Sequence, residues 1–340
     1  MEATDQMINM PKACLPKIPY IKIGTSGPGD LVHARKAEFE DIFSAGVEHY
    51  GRRSLVIGDV VSKSWLELCE NPYREEIGHI AESTSAPGAY LLNLSFEWSC
   101  TSSTAADPSG EGNRLLRTLD WPMPGLGRNV VIAGMEGKAG YYENITWPGF
   151  VGVATAMAPG RFSAAINQPP MRRWTPFVLL DWGANRCRIW RRRAIPPVHL
   201  LRKVFDECSS YRAAKEMLMK TPIALPSLFT LSGSELGEGC VIEREEDCAY
   251  VRETPATVAN HWVAASLSGR SRGIDSLGRY QQMETNQECS SGNLSWLKPP
   301  ILNRTTRIAV VANAQRGLLV VQGIEEYGPA TRVHTRTSSN

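Results

Sequence analysis

The feature that most constrains this chain is a change of texture at Cys100. Before it, apolar residues recur at helical spacing. After it, short apolar or alternating runs are cut apart by turn-forming residues. Cys100–Ala106 and Asn113–Leu119 flank Asp107-Pro108-Ser109-Gly110, a sequence that predicts a hairpin. Asn129–Ala133, Ala139–Thr146, Phe150–Met157 and Phe162–Asn167 continue the strand series, with Pro148-Gly149 and Ala158-Pro159-Gly160 as turns. A second block follows at Leu228–Leu231, Gly239–Glu243, Cys248–Arg252 and Thr257–His261. Thr306–Ala312 and Leu318–Ile324 close the chain as another hairpin.

Helical periodicity marks Ala34–Tyr50, where Phe39, Ile42, Phe43, Val47 and Tyr50 share a face. Ser62–Cys69 and Arg74–Ser83 read as helices, the latter just after Pro72. Val198–Asp206 and Tyr211–Lys220 read likewise, the second stopping before Thr221-Pro222. Residues 1–20 and 168–200 are rich in proline or arginine and are expected to be irregular. Helices early and in the middle, with strands in two blocks, predict a layered α+β architecture with sheets sandwiched between helices. No repeat or low-complexity linker divides the chain. The expected units are a helical segment 1–99 and a segment 100–340, together one fold.

Bulk properties narrow the function. The net charge is +2 over 340 residues, which gives no electrostatic case for nucleic acid. The Arg188, Arg191, Arg192, Arg193 cluster reads as a solvated loop or helix end. The longest apolar runs are too short to span a bilayer, and Met1–Met10 lacks a targeting pattern, so the expected compartment is the cytoplasm. The eight cysteines form no CxxC pair, so no metal site is expected. Cys240 and Cys248 read as buried thiols ahead of a redox pair. Trp121, Trp147 and Trp174 read as core ahead of an acyl pocket. Arg114 and Arg128 read as surface charge ahead of an anion site.

Cys100 is the candidate nucleophile. A cysteine hydrolase needs a base, and none of the six histidines forms an evident triad with it; His261 reads as a packed or rim residue. Cleavage of the Ser99–Cys100 bond would place an α-amine, with an ordinary pKa of about 8, on the same residue as the thiol. Arg117 and Asp120 on the next strand would orient that amine and favour the thiolate. Alone, a cysteine at a strand start is most often a small buried hydrophobe, an Arg–Asp pair a structural ion pair, and an asparagine such as Asn260 a turn residue.

Several stretches in order resemble the acid ceramidase and N-acylethanolamine acid amidase group of N-terminal nucleophile hydrolases, related to choloylglycine hydrolases and penicillin V acylases. They are Cys100-Thr101-Ser102 with Arg117-Thr118-Leu119-Asp120, then Gly149-Phe150-Val151-Gly152 through Pro159-Gly160-Arg161-Phe162-Ser163 to Ile166-Asn167. Ala213-Ala214-Lys215, Gly237-Glu238-Gly239-Cys240, Ala259-Asn260-His261-Trp262 and Asp275-Ser276-Leu277-Gly278-Arg279 follow.

The resemblance implies a four-layer αββα fold of two antiparallel sheets with helices outside. It implies Cys100 as the nucleophile exposed by self-cleavage, with Asp120 holding its amine and Arg117 near the thiolate. Asn260 and the Asn167 backbone would serve the oxyanion, and Arg279, with Arg272 and Arg270 as rivals, would support the site. The implied substrate is an N-acyl amide with an apolar acyl chain. No cofactor is needed, segments 1–99 and 100–340 stay associated, and peripheral contact with lipid fits such substrates. Leu116, where the group has Gly, a hairpin one residue long around Glu111-Gly112, and Gln168-Pro169-Pro170 after Asn167 depart from the pattern. The alternatives are a bile-salt or penicillin acylase or an acyltransferase on the same site, a non-catalytic binding protein with an unprocessed fold, and an unrelated hydrolase using His261.

Overall fold

A computed structural model describes residues 15–69, 71–84, 87–94, 98–264, 267–286, 292–326 and 328–337. The chain enters with β1 (Tyr20–Gly24), then α1 (Gly29–Ala34), α2 (Lys36–Tyr50), α3 (Arg52–Leu68), α4 (Arg74–Glu82) and α5 (Ala89–Leu94). Strands follow: β2 (Ser99–Ala106), β3 (Asn113–Asp120), β4 (Val131–Gly137), β5 (Gly140–Thr146), β6 (Thr155–Ala158), β7 (Phe162–Asn167) and the short β8 (Met171–Arg172). Three helices come next, α6 (Val178–Arg191), α7 (Pro197–Glu207) and α8 (Tyr211–Lys220). After them run β9 (Ser227–Gly233), β10 (Gly239–Arg244), β11 (Ala249–Glu253), β12 (Ala256–Val258) and β13 (Gly269–Arg270). Helix α9 (Ser276–Glu284) precedes the closing strands β14 (Thr306–Asn313), β15 (Leu318–Glu325), β16 (Gly328–Pro329) and β17 (His334–Thr337).

One sheet has eight strands in the order β1-β4-β5-β6-β7-β9-β10-β11, antiparallel except for the β1–β4 pair. The other runs β12-β2-β3-β14-β15, with β16 and β17 against β15, and is antiparallel throughout. Leu115, Leu119, Val310 and Ala312 of the second sheet share one apolar core with Ala165 and Met157 of the first. Side chains alternate across a strand, so each sheet also has an outer face. Phe205 of α7 stacks on Tyr142 and Phe162 outside the first sheet. Met283 of α9, with Trp296 and Ile301, covers Leu116, Ala309 and Val311 outside the second. This is the four-layer αββα sandwich expected, and it explains Leu116: the side chain fills that outer layer.

Local chemistry sets the element ends. Ser210 caps α8 by accepting from Ala213 N, and Asp275 caps α9 by accepting from Gly278 N. The long β2–β3 hairpin closes with Asp107 N donating to Gly112 O at 2.9 Å, and Gly112 sits at φ +67°, where a side chain would be strained.

Several expectations need correction. Tyr20–Gly24 is a strand of the large sheet. Residues 168–200 contain α6, a helix whose apolar residues Phe177–Leu180 face solvent; Asp181 alone is fully buried, so no core stripe marks it in the sequence. Thr257–His261 shortens to β12, and α9 lay unmarked. The apolar run Tyr90–Phe96 is helical through Leu94, and its end lies outside the described residues. Arg188 and Arg191 lie in the last turn of α6, and Arg188 and Arg192 pair with Glu246 and Asp247. Arg114 is buried and donates to Asn286 O, while Arg128 pairs with Asp41. Cys240 is buried opposite Glu253, but Cys248 is exposed beyond the other end of that hairpin, so they cannot pair. No helix among the described residues is long and apolar enough to cross a membrane.

Candidate active site

Cys100 is the second residue of β2 and fully buried. The register sets Ser99 opposite Asp120, Cys100 opposite Leu119, and Ser102 opposite Arg117. Ser102 Oγ donates to Asn167 Oδ1 of the facing sheet at 3.0 Å, so Cys100, Ser102 and Arg117 point between the sheets. Asp120 and Thr101 therefore point to the outer face, toward α9. The pair read together in the sequence, Arg117 and Asp120, is split across the sheet.

On the inner side, Arg117 Nη1 reaches Asn167 Oδ1 at 3.5 Å, while its Nε and Nη2 have no oxygen or nitrogen acceptor among the described residues. Burial pushes the Cys100 thiol up from its ordinary pKa. The Arg117 charge pulls against that, with a smaller pull from Arg279, and Asp120 adds to the rise. The Asn167 amide bridges the sheets, its Nδ2 donating to Val258 O and Ala259 O.

On the outer side, Arg279 of α9 is the organising cation. Its Nη1 donates to Cys100 O at 2.6 Å and Thr101 Oγ1 at 2.8 Å, and Nη2 donates to Asn260 Oδ1 at 2.8 Å. Nη1 also lies 3.5 Å from Asp120 Oδ2. Asp120 accepts from Thr306 Oγ1 and Asn303 Nδ2 as well; burial pushes its carboxyl up, and Arg279 is the main opposing pull. Asn260 Oδ1 also accepts from Cys100 N at 2.9 Å, and its Nδ2 donates to Gln168 O at 2.7 Å. Two donors on the oxygen fix the orientation of this amide.

Cys100 is thus held through both its nitrogen and its carbonyl. Gly273, at φ +68°, packs so close to Ser99 that a β-carbon would collide with it. Arg272 Nε donates to Pro169 O and Arg270 pairs with Asp181, so neither takes the place of Arg279. His261 Nδ1 lies 2.8 Å from Ser276 Oγ, with its ring against Tyr280. Among the described residues its contacts do not include Cys100.

A cavity of about 230 Å³ lies between α3, α6 and residues 168–172, linked to this cluster through Gln168, which lines it and whose carbonyl accepts from Asn260. Trp65, Trp182 and Trp190 line it, rather than the tryptophans singled out in the sequence. Trp121 and Trp147 are core, and Trp174 is half exposed. Of the two helices, the C-terminal half of α3 was expected as Ser62–Cys69, and α6 was not, because its apolar residues face the cavity or solvent instead of a core.

Two sheets packed face to face between helices, with a cysteine at the head of a central strand, are the αββα layout that the sequence resemblance led one to expect. The chain is similar to acid ceramidase of Heterocephalus glaber, 28% identical over 194 residues, covering 51% of this chain and 47% of the relative. It is also similar to N-acylethanolamine-hydrolyzing acid amidase of Oryctolagus cuniculus, 30% identical over 209 residues, covering 56% of each. The chain spans about half the length of the curated relatives it matches. No family model matches. Among solved structures, the Caenorhabditis elegans N-acylethanolamine-hydrolyzing acid amidase ortholog overlaps with a TM-score of 0.47 at 18% identity, covering 63% of this chain and 93% of that one. That overlap is too loose to add to the sequence likeness.

Proposed function

We propose that this chain is a self-processing cysteine amidase acting on N-acyl amides. The observation that carries the reading is the hold on Cys100: Asn260 on its nitrogen, Arg279 on its carbonyl, Arg117 beside its thiol. In processing, Sγ attacks the Ser99 carbonyl and the Ser99–Cys100 C–N bond breaks as the nitrogen takes the proton. Water then hydrolyses the thioester, leaving a carboxylate on Ser99 and a free α-amine on Cys100. In turnover, that amine takes the thiol proton, Sγ attacks the substrate carbonyl, and the proton passes to the leaving amine. Water activated by the same amine hydrolyses the acyl thioester. Asn260 and the Asn167 backbone serve the oxyanion, Arg117 the thiolate, and Asp120 acts through Arg279.

Two features support the finer parts of this reading. Segments 1–99 and 100–340 are joined by the β1–β4 pairing, Glu76–Arg202, Tyr73–Asp206 and Asn71–His199, contacts that would keep them together after cleavage. Ile57 and Val60 on α3 and Leu179 and Leu180 on α6, the two helices that wall the cavity, are exposed apolar residues suited to peripheral contact with lipid.

Intact-mass spectrometry of the wild type beside Cys100→Ala tests the proposal. Two co-eluting fragments split at Ser99–Cys100 in the wild type, a single chain in the variant, and hydrolysis of an N-acyl amide by the wild type alone are expected. A wild-type chain that stays whole from mildly acid to neutral pH would remove the amine-as-base mechanism.

A further inference from the structure

Asn260 is fully buried and carries the hold on the Cys100 nitrogen, yet it lies two residues past the end of β12. Sheet pairing therefore does not fix its backbone N–H. Helix α9 does. The Asn260 N–H donates to Ser276 Oγ at 2.9 Å, and that oxygen lies 2.8 Å from His261 Nδ1.

Ser276 is the first residue of α9, but the helix is capped by Asp275, whose carboxylate accepts from Gly278 N. The serine hydroxyl is thus not needed at the helix end. Asp275 sits at φ +41°, a left-handed conformation that few residues other than Gly, Asn and Asp adopt. From that turn the helix sets Ser276, Arg279 and Tyr280 at i, i+3 and i+4, which share one face. On this face Ser276 takes the Asn260 nitrogen, and Arg279 Nη2 donates to Asn260 Oδ1 at 2.8 Å. The Tyr280 ring packs edge-on against His261, with centroids 5.2 Å apart. One helix face therefore grips Asn260 by both backbone and side chain, and His261 backs the grip.

A serine hydroxyl has one proton. Having accepted from the Asn260 N–H, Oγ donates that proton to Nδ1 when the ring is neutral. Burial lowers the His261 pKa; Glu243 opposes the fall, and Arg279 and Arg252 add to it. The neutral ring fixes the hydroxyl with its lone pairs toward Asn260, and a hydroxyl that donates also accepts more strongly. Both self-cleavage and turnover need the Asn260 amide in one orientation, Oδ1 toward the Cys100 nitrogen and Nδ2 toward the oxyanion.

From this geometry we infer that Ser276, held by His261, is a positioning residue that sets the Asn260 amide for both reactions. It acts through Asn260 rather than on Cys100 itself. This rests on the amidase reading above and adds to its machinery.

Intact-mass time courses read cleavage at Ser99–Cys100, and turnover of an N-acylethanolamine, referred to the cleaved fraction, reads kcat and KM. Ser276→Ala leaves the buried Asn260 N–H without this acceptor, and is expected to lower kcat and the cleavage rate about 10-fold or more with KM changed less than about 2-fold. Ser276→Thr keeps the hydroxyl and should restore both. His261→Asn, whose amide oxygen can stand where Nδ1 stands, should retain more activity than His261→Leu. Urea midpoints separate positioning from folding: a lowered midpoint in Ser276→Ala, with kcat and cleavage rate of the folded protein unchanged, would overturn the inference. If Ser276→Ala does not fold, equal kcat in the two His261 variants would overturn it instead. Labelling of Ser276 by a fluorophosphonate would make Ser276 and His261 a nucleophile and its base, and would overturn it too. A wild type that neither cleaves nor hydrolyses fails the amidase reading. A wild type that does both, matched by Ser276→Ala, fails this inference alone.

Discussion

Arg279 and Asp120 are both fully buried, and their charges are matched by few other groups. Removing one member of such a pair leaves the other without compensation, which typically costs about 3–5 kcal/mol. Arg279→Gln should lower the urea midpoint accordingly and also slow cleavage at Cys100, because Cys100 O, Thr101 Oγ1 and Asn260 Oδ1 lose their common donor. A loss near the roughly 0–1 kcal/mol of an exposed pair would mean that Asp120 is satisfied by Thr306 and Asn303 alone. The identities of these residues were legible in the sequence, since Cys100, Arg117, Asp120, Asn260 and Arg279 each sit in a distinct short stretch. Their partners were not. Which face of β3 carries Arg117 and which Asp120 depends on the register with β2, and only the paired strands show that Asp120 lies against Arg279.

At the scale of elements, α7 joins the two segments through a buried histidine. Asn71 Nδ2 lies 2.8 Å from His199 Nδ1, so that ring nitrogen accepts, and protonating it would break the bond. Burial, helped by Arg202, pushes the His199 pKa down to about 3. A histidine depressed in the fold contributes stability that is present above its unfolded pKa of about 6.5 and is lost as pH falls toward the folded value. Glu76, pushed up mainly by burial, works with the opposite sign and offsets part of the loss. Wild-type protein is expected to lose about 2 kcal/mol between pH of roughly 7 and 4.5, and His199→Gln should flatten that slope. Urea titrations at both pH values measure it, and equal slopes would exclude His199 as the cause. Helix α7 was plain in the sequence because its apolar stripe faces a core. Helix α6 was not, because its apolar residues face out.

At the scale of the whole molecule, α3 and α6 meet, Trp65 Nε1 donating to Ile189 O at 3.1 Å, and together they carry both the cavity wall and the exposed apolar surface. Ile57→Glu with Leu179→Glu should lower turnover of vesicle-borne N-acyl amide about 10-fold, leaving a soluble short-chain substrate unaffected, since two apolar anchors are exchanged for charge at the interface. Vesicle co-flotation of both proteins checks this, and equal flotation would exclude the surface. Hydrophobic periodicity and turn chemistry sufficed for the layered α+β class and the two strand blocks, because these are local signals written every two or every three to four residues, whereas Cys100 stood out as a candidate only through the ordered stretches that resemble a known family. The pairing of β1 with β4, the separation of Arg117 from Asp120, the cation that holds Cys100, and the arginine-lined cavity were decided only in the tertiary structure. Each depends on which distant strands and helices come to share a face, and no local spacing encodes that.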